Sequence, residues 1–172
     1  KENDLTLSDL IIVPTAPMGI YSNKYKSLKE IKDGTSLALP NDPVNLARAL
    51  KVLVDEELIE VDPDVDPLKI SEKDVTENPK NIQFKPLESA QLPRATDSVD
   101  LSAVPGNFAL AAKMDLQDAL VLEKMPDMYR NVVAVNTKDV DAQFAKDIKS
   151  VVESAKYEKV IDSKFAGFGK PD

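Results

Sequence analysis

The 172-residue chain contains no cysteine and no histidine. Without cysteine there is no disulfide framework and no thiol nucleophile, and nothing in the chain speaks to redox compartment. Without histidine, the usual proton shuttle at neutral pH and the commonest transition-metal ligand are both missing. Tryptophan is absent too, and aromatics make up only 5%, which leaves no broad stacking platform. The five glycines form no G-x-G-x-x-G run, so a glycine-rich phosphate loop is excluded. There is no G-x-S-x-G elbow and no S-x-x-K with its supporting motifs. Apolar runs stay short, as at Ala109 to Ala112, and none is long enough for a membrane-spanning helix. No leader precedes Lys1, so a targeting segment is expected to lie upstream or to have been removed.

What remains is a composition suited to a packed, soluble fold, with 42% hydrophobic and 30% charged residues. Acids outnumber bases 30 to 22, for a net charge of -8. The bases are scattered rather than striped, and the excess of acid repels phosphate backbones, which excludes nucleic acid as a partner.

Short strands alternate with helices along the chain. Leu10 to Val13 reads as a buried strand closed by Pro14, followed by a crossing segment through Met18-Gly19-Ile20-Tyr21. Ser36 to Leu39 reads as a strand stopped by Pro40. Asp42 then stands where a helix N-cap belongs and Pro43 at N1, where its fixed φ helps and its missing N–H costs nothing. Leu46, Ala49, Leu50, Leu53 and Val54 recur at helical spacing up to about Leu58. The Asp- and Pro-rich stretch from Val61 to Asp74 reads as a loop with one short strand at Leu68 to Ile70. Strands are expected at Ile82 to Phe84, Val99 to Val104, Val121-Leu122 and Val132 to Val135. Helical turns are expected at Leu87 to Arg94, from Asn107 to Ala112, from Val140 to Val152 and around Val160 to Phe165. The alternation predicts an α/β fold.

The acidic groups invite a metal or acid–base reading. Pro63 and Pro67 interrupt the Asp62, Asp64, Asp66 run, and it has neither the glycine nor the distal glutamate of a calcium loop. A solvated loop is expected there, with no metal site. Asn45 and Arg48 are three apart and project from one side of the first helical turns. An arginine fork beside exposed helix N–H groups can hold a carboxylate, with Asn45 adding a hydrogen bond. On spacing alone, a surface arginine beside a polar turn residue is the better explanation of the pattern. Tyr129-Arg130-Asn131 precedes a strand and is likewise open to a plain loop reading.

An ordered set of segments decides between these readings. Ala16-Pro17-Met18-Gly19-Ile20-Tyr21-Ser22, Tyr25-Lys26-Ser27-Leu28 and Pro40-Asn41-Asp42-Pro43 come first. Glu77-Asn78-Pro79-Lys80-Asn81, Ala90-Gln91-Leu92-Pro93-Arg94 and Gly106-Asn107-Phe108-Ala109 follow. Together they resemble the NlpA family of methionine-binding lipoproteins, the substrate-binding components of an ABC importer, over essentially the whole chain. The resemblance implies a two-lobed, periplasmic-binding-protein-like α/β fold of the type II kind that closes on its ligand about a hinge. It places 1–17 and 121–172 in a first lobe and 18–120 in a second. It implies a receptor without catalytic residues or cofactor, held outside the cytoplasm by a lipid anchor upstream of this chain. Its ligand is methionine or a related amino acid, and its partner an ABC permease. Arg48 then pairs with the ligand carboxylate, while Asn45 and Asn131 line the pocket.

Two departures from the family stand out. Where the family commonly has an Asn in a Val-Ile-Asn pattern, this chain has Val104-Pro105, so one ligand hydrogen bond is expected to be missing or to reroute through Asn107. The family's opening strand–helix units and its lipid-bearing Cys have no counterpart here, so the first lobe is expected to be incomplete, exposing apolar surface and favouring self-association or a companion chain. Two other readings stand beside the receptor: an enzyme using a carboxylate pair, and a surface or structural lipoprotein that keeps the fold and no longer binds ligand.

Overall fold

The computed structural model describes residues 6–125 and 129–170. Among them the chain forms two compact units, one built from 17–124 and the other from the flanking segments 1–16 and 125–172. The α/β expectation holds.

The central unit is organised on a five-stranded sheet of order β6-β3-β7-β2-β8. Its strands are β2 (Gly19–Tyr21), β3 (Ser36–Pro40), β6 (Gln83–Leu87), β7 (Leu101–Val104) and β8 (Val121–Leu122). β3 runs parallel to both β6 and β7, and β2 runs antiparallel to β7 and β8. Leu37, Ala38 and Leu39 are fully buried, as expected of a central parallel strand covered on both faces. Pro40 ends the ladder as its last member rather than standing outside it.

Helix α1 (Pro43–Asp55) buries Ala47, Ala49, Leu50 and Leu53 completely, and its apolar stripe joins Leu37, Leu39, Ile20 and Leu101 in one core. Short α2 (Leu92–Ala95) and α3 (Gly106–Ala111) complete the unit. The expected helical turn at Leu87 to Arg94 resolves into a 3-10 turn, Ser89–Gln91, running into α2.

Several expectations shift. Met18 to Tyr21 is not merely a crossing segment, since Gly19–Tyr21 lies inside the sheet between β7 and β8. Three residues are too few to show a two-residue period, so the strand is invisible in sequence. Val121 and Leu122 pair through β8 with β2, which places 121–124 in the central unit and moves the boundary past the expected 121. No strand forms at Leu68 to Ile70. There Asp66 accepts the Leu68 N–H at 3.0 Å through its side chain and the Lys69 N–H through its carbonyl, turning the chain locally. A small antiparallel pair forms on either side instead, β4 (Glu60–Val61) with β5 (Val75–Glu77).

In the flanking unit β1 (Leu7–Ile12) pairs antiparallel with β9 (Val132–Asn136) in a two-stranded sheet. Helices α4 (Gln143–Val152) and α5 (Ala155–Lys164) follow, α5 starting several residues before the expected Val160. The Ser154 hydroxyl caps it by accepting the Tyr157 N–H at 3.2 Å. Exposed large apolar side chains concentrate here: Leu7, Val132, Phe144, Val151, Val160 and Phe165. Among the described residues no helix is long and apolar enough to cross a membrane.

Tyr21 carries a measurable signature of the central packing. Its ring lies against Gly19, where a Cβ would stand 2.8 Å from a ring carbon, so only glycine admits it. The residue is 3% exposed and its hydroxyl has no hydrogen-bond partner among the described residues. Burial, reinforced by Asp118 and Asp115, pushes its pKa up to about 12. Because the folded value lies above the unfolded 10.0, its contribution is intact below pH 10 and is lost as the pH rises through 12. Tyr21→Phe is expected to leave stability at pH 7 unchanged or raised by about 1 kcal/mol, since an unmade buried hydrogen bond disappears. It also blunts alkaline destabilisation between pH 10 and 12. Urea titrations at pH 8 and pH 11 check both, and a loss of stability at pH 8 would show that the hydroxyl is satisfied.

Candidate functional site

The turn from β3 into α1 builds the polar centre of the central unit. Asp42 has extended backbone (φ −78°, ψ 139°) and its carboxylate accepts the Asn45 N–H at 3.0 Å, capping the helix with Pro43 at N1. The same carboxylate accepts both contacts of the Asn45 side-chain amide at 3.1 Å and the Ser89 hydroxyl at 3.2 Å. Burial alone would raise the Asp42 carboxyl. The bonds from Asn45 and Ser89 outweigh it and hold the group below its ordinary value.

With its amide nitrogen turned to Asp42, Asn45 presents its oxygen to Arg48, whose Nη1 donates at 2.9 Å. Arg48 also meets Glu123 side-on, Nε donating to Oε1 at 3.0 Å and Nη2 to Oε2 at 2.5 Å. The two side chains are 13% and 5% exposed. Glu123 Oε2 accepts the Met18 N–H at 3.0 Å, while the Glu123 N–H reaches the Met18 carbonyl at 2.8 Å. A hydrogen-bonded chain thus runs Ser89–Asp42–Asn45–Arg48–Glu123–Met18 and ties the start of α1 to the β2–β8 edge.

β3 and β7 are parallel neighbours, so Pro40 and Val104 finish at the same edge of the sheet. Carboxyl ends of parallel strands are where α/β folds gather ligands. Asn107 lies at that edge, exposed, on the first turn of α3. Pro105 ahead of it is fully buried, and its carbonyl accepts the Phe108 and Ala109 N–H groups, so this position offers no side-chain donor. Asn131 belongs to the flanking unit, where it is exposed just before β9. Its N–H donates to the Thr15 hydroxyl at 2.9 Å and its carbonyl accepts the Val13 N–H. Asn45 and Arg48 are therefore brought together, and Asn107 shares their sheet edge.

Sequence reasoning missed Glu123. It is 75 residues from Arg48 and follows a two-residue strand, so no local spacing pairs the two. The Asp62 and Asp66 carboxylates each accept an N–H within their own loop, at 2.9 and 3.0 Å. Among the described residues no cluster of acids has the arrangement of a metal site.

A family model described as NlpA lipoprotein matches residues 1–172. The chain belongs to the NlpA lipoprotein family. Curated members support this in sequence. The probable D-methionine-binding lipoprotein MetQ of Vibrio cholerae is 32% identical over 152 residues, covering 88% of this chain and 56% of that protein. The methionine-binding lipoprotein MetQ of Bacillus subtilis is 33% identical over 172 residues, covering 97% of this chain and 63% of its own length. The chain thus spans a little over half the length of these NlpA-family relatives. In structure it is similar to a nutrient-binding protein from Burkholderia cenocepacia bound to methionine, with a TM-score of 0.85 and 31% identity, over 99% of this chain and 73% of that one.

Proposed function

We propose that this NlpA-family chain is part of an extracytoplasmic solute-binding lipoprotein that captures methionine or a closely related amino acid and delivers it to an ABC permease. The carrying observation is Arg48: a largely sealed guanidinium at the carboxyl edge of a parallel strand, oriented by Asn45 and already engaged by a carboxylate. That is the equipment for an amino-acid carboxylate. The names of the relatives supply the ligand class, methionine, and the lipoprotein tether. Asn107 and Asn131 enter the proposal on the resemblance, Asn107 as the donor that replaces the one Pro105 lacks. The chemistry is capture and release, with no bond made or broken. Isothermal titration of the full-length protein with L- and D-methionine tests it: a saturable heat with either enantiomer supports the receptor.

One observation favours a second reading, a surface lipoprotein that keeps the fold without binding. Glu123 already fills the side-on edge of Arg48, as in a purely structural ion pair. No heat with any proteinogenic amino acid would select it.

A further inference from the structure

The geometry points to Glu123 as the residue that sets the charge selectivity of the Arg48 site, making it accept a net-neutral zwitterion and refuse a net anion. This rests on the amino-acid reading above. Arg48 carries one positive charge, and Glu123 cancels it across two hydrogen bonds in a pair only 13% and 5% exposed. A second carboxylate, Asp42, stands one residue further along the same chain of bonds, through Asn45. Among the described residues, the Arg48–Glu123 pair leaves no surplus positive charge at the fork, and Asp42, which bonds Asn45 rather than the guanidinium, adds none.

A guanidinium without Glu123 would attract any carboxylate-bearing anion. With Glu123 in place, a ligand of net charge −1 adds an uncompensated charge to a poorly solvated site, which is costly. An α-amino acid brings its own ammonium beside its carboxylate and adds none. Glu123 acts through Arg48, so it is a positioning residue. It also holds the plane of the fork, because Nε and Nη2 are both committed to one carboxylate that is itself anchored on the Met18 N–H. Neither role depends on how much of the guanidinium edge is open in this structure.

Two probes of the same skeleton separate the effects: L-methionine, and its α-hydroxy analogue, in which a hydroxyl replaces the ammonium and the net charge is −1. Affinities are measured by titration at pH 7 on the full-length wild type, Glu123→Gln and Glu123→Asp. The wild type is expected to prefer methionine by about tenfold or more, the scale of one buried charge imbalance after solvent screening. Glu123→Gln is expected to cut that preference by about tenfold, chiefly by improving hydroxy-acid binding. Glu123→Asp, which retains the charge, is expected to keep it. A merely structural Glu123 would weaken both probes equally and leave the ratio unchanged, which overturns the assignment. If Glu123→Gln does not fold, equal affinity of the wild type for the two probes overturns it as well. Methionine bound by no form sinks the amino-acid reading itself, and the selectivity role with it.

Discussion

Arg48→Ala is expected to abolish the proposed methionine capture in the full-length protein. Truncating one partner of a buried, charged hydrogen bond costs about 2–5 kcal/mol, or roughly 30- to 5000-fold in affinity. The substitution also strands Glu123, whose side chain is 5% exposed. Breaking a buried pair from one side costs about 3–5 kcal/mol of stability, so a lost titration signal has two readings. The double variant Arg48→Ala with Glu123→Gln separates them. Removing the charge on both sides returns much of the stability, whereas the carboxylate receptor stays absent. The expected pattern is therefore a single variant that is destabilised and non-binding, and a double variant that is more stable and still non-binding. Hydrogen exchange read across the central unit and titration calorimetry on the same samples read both axes. Retained methionine affinity in a folded Arg48→Ala protein would remove Arg48 from the site and leave the Arg48–Glu123 pair as structure alone.

Leu50→Ala is expected to be the most damaging single apolar truncation in α1. Leu50 is fully buried on the face of α1 that joins Leu37, Leu39, Leu53 and Leu101 in the core. Leucine-to-alanine changes at such sites cost about 2–5 kcal/mol, the upper part when the surroundings cannot collapse into the space. Helix propensity does not contribute, because alanine is the better helix former, so any loss reports packing. The chain holds two compact units, which makes a single global melt hard to assign. Hydrogen exchange read by mass spectrometry is the better measurement. Protection should fall across β3, α1 and β7, while β1 and β9 of the flanking unit keep theirs. A loss below about 1 kcal/mol would mean that α1 packs loosely on the sheet. Uniform loss in both units would mean that they unfold together.

The local elements were legible where sequence chemistry is local. Asp42-Pro43 marked the start of α1 because capping and N1 proline act through neighbouring backbone groups. Ser36 to Leu39 showed as a strand because a doubly covered parallel strand is continuously apolar. Helical spacing placed Asn45 and Arg48 on one side of α1, and the structure adds a 2.9 Å hydrogen bond between them. The ordered segments from Ala16 to Ala109 were enough for the NlpA family. Short β2 escaped, because three residues carry no period, whereas the strand expected at Val121-Leu122 is present as β8. The β4–β5 pair, at the two ends of a stretch whose acids and prolines read as loop, was missed because its strands are only two and three residues long.

Sequence by itself determined the fold class, the capped helix that carries Asn45 and Arg48, and the family, since these depend on neighbours along the chain or on order within it. Only the tertiary structure decided what Arg48 faces. Glu123 reaches it from the end of β8 because the sheet order sets β8 beside β2 and leads the following residue back toward the start of α1. A contact spanning 75 residues is made by sheet topology, and hydrophobic packing of α1 on β3 brings its polar first turn to that edge. Neither is written in any local run of residues.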